Sequence, residues 1–263
     1  MKLYILGNGF DLAHNLPTKY SDFKVWLENK KEYKLLLEEL ESMFFFNDGW
    51  KNFEEALAYP NSMIEKKYEK LDCLEYFVDS LKCSFKKWAY SIKDTNQFET
   101  MKKMFNFEED SYFITFNYTP VLESNVYSID GDRILHIHGY DIEHYYFDDA
   151  SVEVGHGNKC ILNGGSKIGK RLYKDTYEIY KKNEQFFRNI QFIDEVITIG
   201  FSFSLIDKLY FEKIKEENPS AIWKFGLFSK DTNALDNCVL FTKELKIQNY
   251  KTFYYDMGKI DKI

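Results

Sequence analysis

The sequence predicts an α/β fold built on a mainly parallel β-sheet, and three observations carry the prediction. Short apolar runs recur along the whole chain, and continuous rather than alternating apolarity marks strands covered on both faces. Helical patterns separate several of these runs, the arrangement that lays successive strands parallel in one sheet. The first run, Leu3-Tyr4-Ile5-Leu6, breaks directly into Gly7-Asn8-Gly9, a buried strand entering a tight turn.

Taken in order, Phe10-Asp11-Leu12-Ala13 starts a helix that Pro17 ends early, because proline has no N–H and clashes with the preceding turn. From Thr18 to about Glu108 the pattern is helical, so residues 18–108 read as a large helical insertion after the first strand. Within it Ile64, Tyr68, Leu71, Leu74, Val78, Leu81, Phe85, Trp88 and Ile92 follow one another at steps of three or four, which places one apolar, core-facing stripe along a long helix. Strand patterns return at residues 112–116, 133–138, 195–199, 222–225 and 252–255. A length of 263 residues suits a single α/β domain, residues 1–263, carrying that insertion.

Composition narrows the function classes. The chain is 44% hydrophobic and 18% aromatic, with 20 Tyr and 24 Phe, so bulky side chains supply the core. A net charge of −7 argues against a surface built to hold a nucleic-acid backbone, and no nucleic acid is expected as a partner. Cys73, Cys83, Cys160 and Cys238 are scattered; they suit a reducing compartment and imply no structural zinc. The start of the chain is apolar only through Leu6, too short for a signal-peptide core. No apolar run approaches the roughly 20 residues that span a bilayer. The expectation is a cytoplasmic protein without a membrane partner; a homo-oligomer is left open.

Four glycine or polar clusters sit at or just beyond predicted strand ends: Gly7-Asn8-Gly9-Phe10-Asp11, Thr115-Phe116-Asn117-Tyr118-Thr119, His136-Ile137-His138-Gly139 and Gly200-Phe201-Ser202. Ligands of open parallel sheets bind outside the carboxyl ends of the strands, so the four together mark a candidate site. Gly7 and Gly9 allow close backbone approach, and the helix start beyond them offers free N–H groups to a phosphate. Asp11 would repel a phosphate; it caps the helix or accepts from a ribose hydroxyl. His136 and His138, two apart on a strand, would share a face; with His156 they form an alternative metal set. Gly164-Gly165-Ser166-Lys167-Ile168-Gly169-Lys170 has P-loop spacing, but Arg171 stands where a magnesium-binding hydroxyl belongs. A loop over the pocket is the expectation there.

These clusters, in this order, resemble the AbiH-type bacteriophage abortive-infection family. The resemblance rests on Ile5 to His14, Leu16-Pro17-Thr18, Tyr20 to Phe23, Trp50 to Leu57, Phe116 to Thr119, His136 to Gly139, Gly155-His156-Gly157 and Gly200 to Ser204 with Asp207. A more distant likeness is to sirtuin-like NAD-binding proteins, which implies a Rossmann-like sheet. By that likeness Gly7 and Gly9 would face the diphosphate of NAD, and Thr115 and Asn117 the nicotinamide ribose. Gly200 and Ser202 would lie by the adenosine half, with Asn8, Phe10, Asp11, Tyr118 and Gly139 completing the binding set. His138 matches the catalytic histidine, and Asn117 joins it. The sirtuin zinc cysteines are absent, so protein deacylation does not carry over. The implied chemistry is hydrolysis of the nicotinamide–ribose bond, with NAD as substrate and no other cofactor. Two alternatives stay open: a metal-dependent hydrolase or nuclease using His136, His138 and His156, and a non-catalytic nucleotide sensor that acts through a partner.

Overall fold

The computed structural model describes residues 1–43, 50, 53–58, 68, 71–93, 97–139, 167–256 and 259–260. The chain folds as two compact units, one formed by Met1–Pro17, Lys93–Tyr140 and Thr176–Ile263, the other by Thr18–Ile92 and Asp141–Asp175.

The first unit is built on a sheet of β1 (Lys2–Leu6), β2 (Tyr112–Thr115), β3 (Ile134–His136), β4 (Glu195–Ile199), β5 (Ile222–Phe228), β6 (Tyr250–Asp256) and β7 (Lys259–Ile260). Its order is β3-β2-β1-β4-β5-β6-β7. Strands β1 to β6 pair in parallel, and the short β7 returns antiparallel on β6. This is the mainly parallel α/β sheet that the apolar runs predict, and its strand order is Rossmann-like. The order reverses between β1 and β4, because the chain grows outward through β2 and β3 and then restarts on the other side. Such a reversal leaves a crevice outside the carboxyl ends of the two central strands.

The apolar runs are continuous because both faces are covered. Leu3, Ile5, Ile114, Val196, Trp223, Phe225 and Leu227 share a buried cluster with Ile179, Phe187, Phe211, Ile214, Cys238 and Phe241. The latter come from α8 (Thr176–Lys182), α9 (Glu184–Asn189), α10 (Lys208–Glu217) and α11 (Ala234–Glu244). Tyr4 points the other way, stacking on Phe113 at 5.4 Å and meeting Phe107 edge-on at 4.7 Å. Phe10 of α1 (Asn8–Ala13), Phe105 and Tyr127 extend that second layer. At the amino ends of the strands Glu195 bridges Lys2 at 3.1 Å and Lys224 at 2.8 Å, tying β1, β4 and β5 together.

The second unit is helical among its described residues. It contains α2 (Tyr20–Glu28), α3 (Lys34–Met43), α4 (Phe53–Ala58), α5 (Leu71–Lys93) and α7 (Lys167–Arg171), whereas α6 (Gln97–Thr100) belongs to the first. Leu74, Val78, Leu81, Phe85, Trp88 and Ile92 are buried as their spacing predicts. The helix that carries them begins at Leu71, with Tyr68 lying before it in a turn; Ile64 lies outside the described residues. Phe23 sits between Phe53, Phe85 and Trp88, with centroids at 6.0, 5.2 and 5.2 Å. The buried Lys174 pairs with Glu54 at 2.7 Å, joining residues far apart in sequence within this unit.

Among the described residues no helix is long and apolar enough to cross a membrane.

Candidate functional site

Parallel pairing brings the four clusters to one edge of the sheet. Leu6 is in register with Thr115 and Ile199, and Thr115 with His136; the residues that follow therefore emerge side by side. The amide of Gly7 donates to Ile199 O at 2.9 Å, and that of Gly9 to Gly200 O at 3.0 Å. The turn after β1 is thus fastened to the exit of β4. A Cβ at Gly7 would meet Gly200 O at 2.4 Å, and one at Gly9 would meet Gly200 Cα at 2.6 Å. Gly200 itself sits at φ +69, with Phe10 N 2.3 Å from where a Cβ would be. All three glycines are accounted for by this approach of two backbones.

Beneath the turn lies a buried polar knot. Asp11 is 1% exposed. Its Oδ1 accepts from Asn117 Nδ2 at 3.0 Å and its Oδ2 from the Thr119 hydroxyl at 2.8 Å. Asn117 Nδ2 also donates to Gly7 O at 3.1 Å, and the Asn117 amide donates to Thr115 Oγ1 at 3.1 Å. Burial pushes the Asp11 carboxyl up to about 7; bonds from Thr119 and Asn117 oppose the rise, and the negative charge of Glu123 adds to it. Asp11 therefore anchors the β2 exit instead of capping its own helix, and the Asn117 carboxamide orients two protein groups.

The two histidines after β2 diverge. The strand ends at His136, where the Gly139 amide closes a turn onto His136 O at 3.0 Å. The expectation that both rings share one strand face is corrected by that early end. His136 Nδ1 donates to Asn117 O at 3.0 Å, and its Nε2 lies 2.7 Å from Glu123 Oε1. His138, 6% exposed, packs against the Phe116 ring at 5.3 Å. Its Nε2 lies 3.7 Å from Asp207 Oδ1. Among the described residues His138 Nδ1 and Asp207 Oδ1 are buried without a hydrogen-bond partner. A buried polar atom left open is uncommon in a folded protein and asks for a role.

The remaining predicted residues are distributed as follows. Phe10 is buried in the aromatic layer, Thr115 is buried beneath Asn117, and Tyr118 is half-buried. Asn8 and Ser202 are exposed, and Gly139 takes φ +85. His156 and Gly164-Gly165-Ser166 lie outside the described residues, and Lys167–Arg171 forms α7 of the second unit. Glu123 carried no role in the sequence reading, and Asp207 entered it only within the familial segment, with no chemical role. Glu123 has no local signal. Asp207 has a faint one, an acidic residue directly before a helix. His14 completes the familial opening segment with a structural task. Its Nδ1 donates to Phe10 O at 2.8 Å, and its Nε2 lies 3.0 Å from the Tyr127 hydroxyl. That hydroxyl also accepts from the amides of Met104 and Phe105 at 3.1 and 3.0 Å. Burial holds the His14 ring below the usual histidine range, against the bond to Phe10 O.

A search of the curated proteins found no match. The family model described as bacteriophage abortive infection AbiH matches residues 3–73 and 61–226. Those spans take in the glycine turn, the Asp11 knot, both strand-end histidines and Asp207, and they cover well over half of the chain; it belongs to the bacteriophage abortive infection AbiH family.

Proposed function

We propose that the chain serves its abortive-infection role against bacteriophage by binding NAD and hydrolysing the bond between nicotinamide and ribose. The observation that carries this reading is His138. It is a buried imidazole whose Nδ1 has no hydrogen-bond partner among the described residues, at the carboxyl edge of a Rossmann-like sheet. Its Nε2 lies 3.7 Å from Asp207, which follows the central strand β4.

The chemistry suits so sparse a site. Nicotinamide leaves as a neutral ring from a cationic start, so no acid is needed to protonate it. The barrier lies in an oxocarbenium-like state at the ribose C1′. In the hydrolysis proposed here, His138 accepts a proton from the attacking water, whose oxygen bonds to C1′. The electron pair of the C1′–N bond passes to the nicotinamide ring, and ADP-ribose, nicotinamide and a proton result. A positioned base of this kind contributes about 10²–10⁴-fold. Asn117 supports the site by holding the Gly7 turn to the end of β2. Gly7, Gly9 and Gly200 let the exits of β1 and β4 pack backbone to backbone, and Asn8 and Ser202 are exposed polar groups at the same edge.

The test is to incubate purified protein with NAD and follow nicotinamide and ADP-ribose by chromatography, with and without a chelator. Release that resists chelation and falls at least about 10²-fold in His138→Ala supports the reading. Binding of NAD without release points to the sensor alternative. Chelator-sensitive activity with intact NAD points to a metal-dependent hydrolase. Either result ends the NAD-hydrolase reading.

A further inference from the structure

We infer that Asp207 is the positioning residue of His138, holding the proton on Nε2 so that Nδ1 stands bare as the proton acceptor. The inference deepens the proposed NAD hydrolysis and rests on it for its catalytic meaning, but its structural content can be read without substrate.

Four observations support it. Asp207 stands at the cap of α10 (Lys208–Glu217), where aspartate ordinarily accepts from the first-turn amides; here its side chain makes no cap bond. The turn just before is served by Ser204, whose hydroxyl accepts from the Ile206 amide at 3.3 Å, so Asp207 is left for another task. Its Oδ1 is buried, has no hydrogen-bond partner among the described residues, and lies 3.7 Å from His138 Nε2. The ring is packed by Phe116 at 5.3 Å and lies 6.4 Å from the Tyr210 ring, which α10 also supplies. One helix start therefore carries both the carboxylate and an aromatic neighbour of the imidazole.

The gap of 3.7 Å is beyond a hydrogen bond. Catalytic bonds are often long before substrate arrives and tighten afterwards. A carboxylate only accepts, so it selects the tautomer with hydrogen on the facing nitrogen. That leaves Nδ1, buried and without a partner among the described residues, as the acceptor; water reaches it only if the ring or its cover shifts when substrate binds. In apolar surroundings the carboxylate also stabilises the imidazolium that results.

The experiment combines kinetics with the tautomer of His138, read by ¹⁵N NMR of histidine-labelled full-length protein and assigned with His138→Gln. Wild type is expected to show one His138 tautomer, protonated on Nε2. In Asp207→Asn, whose amide can present either oxygen or NH₂, that preference should be lost. Its kcat for NAD should fall about 10²-fold while KM stays within about two-fold. Asp207→Glu, which keeps the carboxylate, should restore the single tautomer and at least about ten-fold of the rate. If wild type releases no nicotinamide, NAD hydrolysis falls while the tautomer comparison still decides the role of Asp207. An unchanged tautomer in Asp207→Asn overturns the inference even where NAD is hydrolysed, and so does a wild-type ring protonated on Nδ1.

Discussion

Asp11 offers the sharpest physical test of the strand-end knot. Folding lifts its carboxyl from an ordinary 3.8 to about 7. The folded state therefore holds the proton more tightly than the unfolded chain, and the stabilisation is fully present below about pH 4. It is lost as pH rises through about 7. At about 1.4 kcal/mol per unit, a rise of roughly three units has a ceiling on the order of 4 kcal/mol. The informative perturbation is Asp11→Asn, a neutral isostere. Its oxygen can still accept from Asn117, and its NH₂ can donate to Thr119, whose hydroxyl rotates to accept. Denaturant unfolding of both proteins from about pH 5 to about pH 8 cancels every other titrating group in the difference. Wild type should lose about 2–3 kcal/mol more than Asp11→Asn across that range, most of it before about pH 7. Parallel stability curves would refute a carboxyl that enters the fold protonated.

Other consequences follow from the same edge of the sheet. Gly200→Ala should cost more than about 2 kcal/mol, since a left-handed φ alone is worth 1–3 kcal/mol and the new Cβ runs into Phe10 N; a melting temperature equal to wild type would contradict this. Tyr127→Phe should cost about 1–3 kcal/mol by stripping partners from two backbone amides and His14, a loss that thermal unfolding would read directly. His136→Gln should weaken the fold through Glu123 and Asn117 yet keep NAD cleavage within about ten-fold of wild type. Equal and severe losses from His136→Gln and His138→Ala in the cleavage assay would reverse that ranking.

Much of the fold was legible because burial leaves a one-dimensional trace. Leu3 to Leu6 and Val196 to Ile199 are buried residue after residue, and apolar apart from Thr198, since they lie centrally with both faces covered. The stripe from Leu74 to Ile92 is periodic because one side of α5 is buried. The edges of elements were less legible. The strand through His136 stops before His138 because Gly139 closes a turn, and a turn is decided by a hydrogen bond between residues that apolarity does not mark. The two-residue β7 was missed for the same reason. At the candidate site, glycines, Asn117 and His138 stood out by residue type and by position at strand ends. Their partners did not: nothing in the neighbourhood of Asp11 shows that it receives Thr119, or in that of Asp207 that it faces His138.

The sequence by itself determined the α/β class, the parallel sheet, the helical stretch after the first strand and the family, because these follow from local periodicity and ordered motifs that each segment carries alone. Only the tertiary structure decided how strand-end residues use one another. It set Gly7 and Gly9 against Gly200, turned Asn117 onto Asp11, occupied His136 with Glu123, faced His138 Nε2 toward Asp207 and left its Nδ1 without a partner among the described residues. The physical reason is that hydrogen bonds and close backbone approach depend on distances across parallel strands, and sheet register sets those distances between residues that the sequence holds far apart.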